Sequence, residues 1–532
     1  MLRVRAVVLT LAAVFALAAW PVRAETVVRW ASAAGVLTWD PHGADHLPSI
    51  NGYRQVYEGL VLHDAALNLV PGLATSWRMI DPLTWHFVLR QGVTFHDGTP
   101  LTAEDVVFSI DRARAPTAAL ADIMATTITA VRAVDARTVA ITTARPELML
   151  PVQIRFASIL SERWAEQHGV TAATRYDKDD GTHARDHANG TGPFALAAQE
   201  PGRRTVLVRN PRWWGASEYP HNIDRIVWTV IPDAEERLRA LLAGEIDFLQ
   251  DPPLDRLERI RATPGLKLVQ TWQPRVVVLN MDQGSPELRS SEVMGKNPFQ
   301  DKRVRRAVHQ AIDVEALRDQ ALGGFAVPTG MLAVPGVTGY MEEFDRRLPH
   351  DPRGAKALLV EAGYPEGFGV RLDCPRSRWN GPVLCGAIAE QLGRIGIHIA
   401  VDLLPEDEWD ARILNRGTDF YLDHATAAAT LDAAELLSAY HSRPSEYGAS
   451  GYANPAFDAL VEQIEAEIST YAREGPIEEA WRILRDEVVV VPLFRPMFVW
   501  AMRESLELPI SPSGTAYFRV AQVKEPSSGP SP

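Results

Sequence analysis

The run from Tyr57 to Arg112, YEGLVLHDAALNLVPGLATSWRMIDPLTWHFVLRQGVTFHDGTPLTAEDVVFSIDR, constrains the fold more than any other part of this chain. Residues 67–77 are turn-rich. Trp85, Phe87 and Leu89 alternate with Thr84, His86 and Val88, which predicts a strand with one apolar face. Asp97-Gly98 signals a tight turn. Thr102, with Asp105 three residues on, has the capping-box pattern ahead of Val106, Val107 and Ile110, so a helix is expected to start there. Turns and caps already account for these residue types. The stretch holds neither a catalytic constellation nor metal-ligand spacing.

The same alternation of strand and helix recurs along the chain. Residues 25–31 read as a strand, 51–60 as a helix, and 131–142 as a strand pair about Asp135-Ala136. Residues 172–189 are polar and mixed in charge, which predicts an exposed loop. Residues 223–231 read as a strand, Asp233 as the cap of a helix stopped by Gly244, and residues 246–248 as a further strand. That β–α–β order predicts a parallel sheet. Residues 273–281 form an apolar strand. Asp301, Asp313 and Asp351-Pro352 each open a helix. Strand, helix and strand then follow at residues 369–372, 383–394 and 397–403. Residues 487–502 are strand-rich and contain Pro492 and Pro496. The tail, residues 524–532, is rich in Pro and Ser and is expected to be disordered.

The first 24 residues read as a cleavable secretory signal. Arg3 and Arg5 precede an apolar run from Ala6 to Trp20, and Val22-Arg23-Ala24 suits cleavage before Glu25. No cysteine follows that point to take a lipid anchor, and no later run is apolar enough to span a bilayer. Cleavage would remove three arginines and none of the 67 acids, taking the formal charge from −13 to −16. So acidic a chain is a poor partner for nucleic acid. The two cysteines, Cys374 and Cys385, would meet an oxidising compartment, and an even count there favours a disulfide; two free thiols are the alternative.

A series of segments resembles one family throughout the mature chain: Asp40-Pro41-His42, Tyr57-Glu58-Gly59-Leu60, Ser76-Trp77, Phe95-His96-Asp97-Gly98, Thr102 to Val106, Gly190-Thr191-Gly192-Pro193-Phe194, Asn210-Pro211-Arg212-Trp213-Trp214, Leu241 to Asp247, Arg303 to Ala307 and Ala355 to Leu359. These look like the extracellular solute-binding proteins of family 5, the binding components of peptide-type ABC importers. The resemblance implies an α/β fold of two lobes, the large three-domain form of the type II periplasmic binding proteins, with an inter-lobe ligand cleft and two hinge crossings. It places lobe I over residues 25–62, 192–274 and 495–523, an extra subdomain over 63–191, and lobe II over 275–494. It further implies a periplasmic monomer that captures a small solute, a peptide above all, and delivers it to permease subunits, with neither cofactor nor catalysis. An opine, an oligosaccharide, a nickel chelate, or a sensing role are the alternatives.

In the family's peptide binders the second lobe offers an Arg to the ligand carboxylate and an acid to its ammonium. The matching stretches here put Arg376 or Arg378, beside Trp379, in the first role. For the second, the usual Trp is missing and Asp432 is the nearest acid, although an Asp before a helical run equally reads as an N-cap. Trp39 and His42 follow the first strand and are expected to face the cleft, with Trp39 either stacking on ligand or packing in the core. Trp272, Arg275 and Trp500 sit beside the expected crossings. The sequence contains no G-x-S-x-G, H-E-x-x-H or P-loop. His183 and His187, four apart, read as surface residues of a polar loop rather than a metal site.

Overall fold

The computed structural model describes residues 25–179, 181–443 and 450–524. The expected leader lies outside the described residues, as does the tail beyond Lys524. Lys524 itself is held, its N–H donating to the Ser505 carbonyl at 2.8 Å.

The first strand, Val27–Ser32, pairs in parallel with both Arg225–Val230 and Phe248–Gln250. This is the sheet expected from the β–α–β order. Asp233 caps the intervening helix Ala234–Leu242 by accepting from the Glu236 N–H, and Gly244 ends it with φ +75°. Two antiparallel strands, Arg204–Arg209 and Phe194–Glu200, extend this sheet outward. A second group, Ile397–Leu404, Phe368–Pro375, Phe420–Thr426 and Arg275–Met281, forms the other half.

One strand belongs to both halves. The 14-residue Val490–Arg503 pairs with Arg275–Met281 through its first part, Val277 opposite Phe494. Its later part pairs with Leu266–Trp272, Trp272 opposite Met497, and with Phe248–Gln250. Leu266–Trp272 in turn reaches Arg275–Met281 through only Gln273 and Pro274. The Gln273 N–H donates to the Pro496 carbonyl at 2.9 Å, so the two crossing segments lie side by side. Pro274, Pro492 and Pro496 lack the N–H of a regular ladder, and the register slips between Val277 and Val278.

A separate four-stranded antiparallel sheet has the order Ala74–Asp81, Thr84–Leu89, Thr138–Thr143, Ile128–Asp135. Trp85, Phe87 and Leu89 are buried on one face, as their alternation predicts. Helix Ala103–Ala113 starts at the predicted capping box: Thr102 accepts from the Asp105 N–H and Asp105 from the Thr102 N–H. Residues 172–189 depart from expectation. They contain two helical turns, Tyr176–Lys178 and His183–Asp186, and bury Ala173, Asp179 and Ala184. The Arg185 carbonyl accepts from the Trp39 N–H at 2.9 Å, tying this segment to the loop after the first strand.

Cys374 and Cys385 are joined in a disulfide that links the end of strand Phe368–Pro375 to helix Gly381–Gly393, and both are fully buried. The exported protein, denatured without reductant, should show no thiol reactivity and should show two thiols after reduction. Replacing both cysteines by Ser should lower stability by about 2–3 kcal/mol in urea unfolding, on the loop-entropy model for a closed loop this short.

Candidate functional site

Between the two halves lies a cavity of about 310 Å³. That volume is at the small end for a pocket that encloses a ligand. Arg54, Glu58, His63, Arg155, Tyr517 and Arg519 line one side; Pro274, Arg275, Ala428 and Leu431 line the other.

The first wall is assembled from segments far apart in sequence. Helix Leu47–Val56 begins with Pro48 in its first turn and carries Arg54 near its end. Asn51 and Gln55 on this helix hold the C-terminal segment: Asn51 Nδ2 donates to the Gly514 carbonyl at 3.0 Å, Asn51 Oδ1 accepts from the Ala516 N–H at 2.9 Å, and Gln55 Nε2 donates to the Ala516 carbonyl at 3.0 Å. Those bonds set Tyr517 and Arg519 on the cavity. A short helical turn, Ile154–Phe156, adds Arg155, and its exit is pinned by the Ile159 N–H donating to the Glu58 carbonyl at 2.9 Å.

Glu58 is the focus of three family landmarks. Its carboxylate accepts from Thr191 Oγ1 at 2.8 Å, Trp213 Nε1 at 3.1 Å and Trp214 Nε1 at 2.7 Å. Thr191 gets there because Gly190 and Gly192 lie flat against the helix end; a Cβ on either would overlap the Val56 carbonyl. Burial pushes the Glu58 carboxyl above its usual range, and the three donors offset this only in part.

The cavity is strongly cationic. Arg54 donates to the Arg155 carbonyl at 3.0 Å and Arg519 to the His63 carbonyl at 2.8 Å. Arg155 reaches across the cavity to the Ala428 carbonyl at 2.5 Å and the Ala429 carbonyl at 3.0 Å. Burial, and then mutual repulsion between Arg54 and Arg155, lower the Arg155 guanidinium. His63 is driven down to about 2, first by burial and then by Arg155, Arg54 and Arg519, so it is neutral. The apolar seal beside this bridge is a cluster of Leu67, Val152 and Leu431, with Trp272 packed against it.

Of the nine residues singled out from sequence, Arg275 alone lines this cavity. Trp272 is adjacent, in the seal. Arg376 and Arg378 do not face the cavity: Arg376 is exposed and donates to the Leu403 carbonyl at 2.9 Å, while Arg378 is ion-paired with Glu406 and lies over the Trp409 ring. Trp379 packs on His424 with ring centroids 5.6 Å apart. Asp432 caps helix Ala433–Ser438 and forms a buried two-pronged pair with Arg473, so it is not available to a ligand ammonium. Trp39 is wholly buried, its indole donating to Gln199, and Trp500 is wholly buried against Phe248. His42 is likewise buried: its Nε2 donates to the Ser158 carbonyl and its Nδ1 accepts from Arg112, which also pairs with Asp40 at 2.6 Å. The expected cleft-facing loop is a core element because Arg112, from the helix after the Asp97-Gly98 turn, draws Asp40 and His42 inward. His183 stacks between His168 and His187 at 3.9 Å from each. Parallel rings do not converge their nitrogens, and among the described residues no group of three or more His, Cys, Asp or Glu is arranged to hold a metal ion.

Arg54, Arg155 and Arg519 went unnoticed in the sequence. They are more than 100 residues apart from one another, and no local pattern marks them. The faint signal for Arg155 is a lone charge in the apolar run Val152-Gln153-Ile154-Arg155-Phe156.

The model of the bacterial extracellular solute-binding proteins, family 5, middle region, matches residues 68–447. The chain belongs to that family. Among its curated relatives, the glutathione-binding protein GsiB of Salmonella typhi is 26% identical over 484 residues, 88% of each chain. Among solved structures, the periplasmic binding protein DppA of Helicobacter pylori in complex with the peptide STSA aligns with TM-score 0.72 at 24% identity, covering 94% of this chain and 98% of that one. NikA of Brucella suis in complex with Fe(III)-EDTA aligns with TM-score 0.80 at 20% identity, covering 94% and 100%. The fold is thus the two-lobed, three-domain α/β form of the family, and this solute-binding protein holds its two halves in contact around an arginine-lined cavity. Among the described residues no helix is long and apolar enough to cross a membrane.

Two outcomes follow from the buried groups of this family member. Replacing Asp432 by Asn should cost about 3–5 kcal/mol in urea unfolding, because Arg473 would be left buried and unpaired. Burial holds His42 and His96 down to about 4 and His63 to about 2. Above pH 6.5 these imidazoles are neutral in both folded and unfolded chains. Below it the unfolded chain takes up protons that the folded chain refuses, so stability should fall from pH 6.5 towards pH 4, by about 1.4 kcal/mol per pH unit for each histidine. A urea midpoint that stays constant from pH 7 to pH 5 would contradict their neutral burial.

Proposed function

We propose that this protein is the periplasmic substrate-binding component of a peptide-type ABC importer. It is exported by the leader at residues 1–24, binds a short peptide between its lobes as a monomer, and presents the closed form to membrane permease subunits. It performs no catalysis. The observation that carries this reading is the cavity enclosed by both halves of the shared sheet, in a chain whose family binds solutes. Relatives named for glutathione and for peptide complexes support a peptide.

The lobe boundaries fit this use. Lobe I would comprise residues 25–62, 192–274 and 495–523, the extra subdomain residues 63–191, and lobe II residues 275–494. The hinge would then lie at Gln273 and Pro274 on one crossing and at Arg495 and Pro496 on the other. Few φ and ψ angles there need to change for the lobes to part. Arg155 is a closing contact, since its partners Ala428 and Ala429 lie on the opposite lobe.

Mass spectrometry of small molecules released by denaturing the exported, purified protein tests the reading; short peptides are the expected finding, and a sugar in their place would sink the peptide assignment. Replacing Arg155 by Ala should weaken affinity for the released solute at least tenfold. It should also enlarge the radius of gyration of the solute-bound protein in small-angle X-ray scattering, since closure loses both carbonyl contacts. An Arg155 variant that binds and compacts like the parent would remove this residue from the closing mechanism.

A further inference from the structure

We infer that the inter-lobe cavity selects a solute bearing at least two carboxylates, held among Arg54, Arg155, Arg275 and Arg519. This deepens the proposed peptide-binding role and rests on it.

Four guanidinium groups line one small cavity, and among the described residues none of them forms a salt bridge with an acid. Elsewhere three buried arginines are paired or saturated, although Arg237 and Arg347 each keep one buried nitrogen without a partner. Arg112 meets Asp40, Arg473 meets Asp432, and Arg305 donates to four backbone carbonyls, those of Phe299, Gln300, Glu487 and Val488. Among the cavity arginines, Arg155 donates to the Val152, Ala428 and Ala429 carbonyls, whereas Arg275 and Arg519 are served less fully. The Nε groups of Arg275 and Arg519 are buried without a partner, as is His63 Nε2. A buried donor left unpaired in the free protein is an unused hydrogen bond for whatever enters.

The two acids in the lining do not neutralise the cluster. Glu58 has its oxygens filled by Thr191, Trp213 and Trp214, and Asp45 is exposed. A carboxylate pair on the solute would supply what the walls lack, through charge-assisted bonds in a site with little water. A cationic side chain would find only like charge. The solute could be an acidic peptide or a non-peptide polycarboxylate; both offer the same oxygens, and the experiment separates them.

Isothermal titration of the full exported protein, stripped of bound solute by partial unfolding and refolding, would use four probes: Glu-Glu, Ala-Ala, Lys-Lys and tricarballylate. Glu-Glu should bind at least tenfold more tightly than Ala-Ala, and Lys-Lys should not bind. Arg54→Gln and Arg275→Gln, each made separately so that one folded variant suffices, should reduce the Glu-Glu to Ala-Ala ratio to threefold or less. Arg54→Gln should at the same time raise the melting temperature of the solute-free protein, because it relieves repulsion with Arg155 and Arg519; a residue with a purely structural role would not raise stability while lowering selectivity. Equal binding of the three dipeptides would overturn the inference and leave the peptide reading standing. Tight binding of tricarballylate with no dipeptide bound would support the inference and sink the peptide reading. If neither acidic probe binds, or if both variants keep the full ratio, the inference is wrong.

Discussion

The hydrogen bonding of one strand governs the architecture. Val490–Arg503 runs through both halves of the molecule, paired with Arg275–Met281 at one end and with Leu266–Trp272 and Phe248–Gln250 at the other. Sheets shared in this way cannot slide apart. They can only rotate where the ladder is weakest, and the ladder is weakest where prolines remove its donors, at Pro274 and Pro496. The Gln273 N–H bonded to the Pro496 carbonyl keeps the two crossings together, so they act as one hinge. The arginine cavity lies beside these crossings, with Pro274 and Arg275 in its lining.

Buried charge is handled in two opposite ways. At two scaffold positions it is neutralised, Asp40 by Arg112 and Asp432 by Arg473. For Asp40, burial pushes the carboxyl up, but Arg112 and His42 outweigh it and hold it below its usual range. In the cavity the arginines have no acid partner among the described residues; burial lowers Arg54 and Arg155, and the charge of Arg519 on Arg54 and of Arg54 on Arg155 adds to it. Like charges gathered in a desolvated site destabilise the free protein, and such an arrangement persists where binding uses it.

Much of the scaffold was legible in the sequence. Caps at Thr102, Asp233, Asp301 and Asp351 work through bonds to neighbours two or three residues away, and local spacing reveals such bonds. The disulfide followed from the count of cysteines and the compartment. Most of the binding wall was not legible for the opposite reason. Arg275 was legible beside a crossing, but Arg54, Arg155 and Arg519 converge through a helix end, a single 3₁₀ turn and a C-terminal segment, and only tertiary bonds such as Asn51 to Gly514 bring them together. Longer-range contacts also settle residues beside the strand ends: Arg112 draws His42 into the core, Gln199 takes the Trp39 indole there, and Glu406 holds the partly exposed Arg378 away from the cavity. No count of residue types near a strand end discloses such competition.

Closure and recognition meet in one side chain. Arg155 caps the carbonyls of Ala428 and Ala429 across the cleft while adding its charge to the cavity. Beside it, Leu67 and Leu431 take part in the apolar seal with backbone φ of 68° and 55°, a left-handed conformation unfavourable for a leucine. Strain of about 1–3 kcal/mol at each such residue persists only when surrounding contacts over-determine it. The seal formed across the cleft is one such contact. A solute shifts the open–closed equilibrium only by its differential affinity for the two states. An anion held between Arg155 on one wall and Arg275 on the other has that differential affinity, because it meets both guanidinium groups only in the closed state. A neutral solute of the same size would fill the space without bridging them, and the closed state would gain less from it.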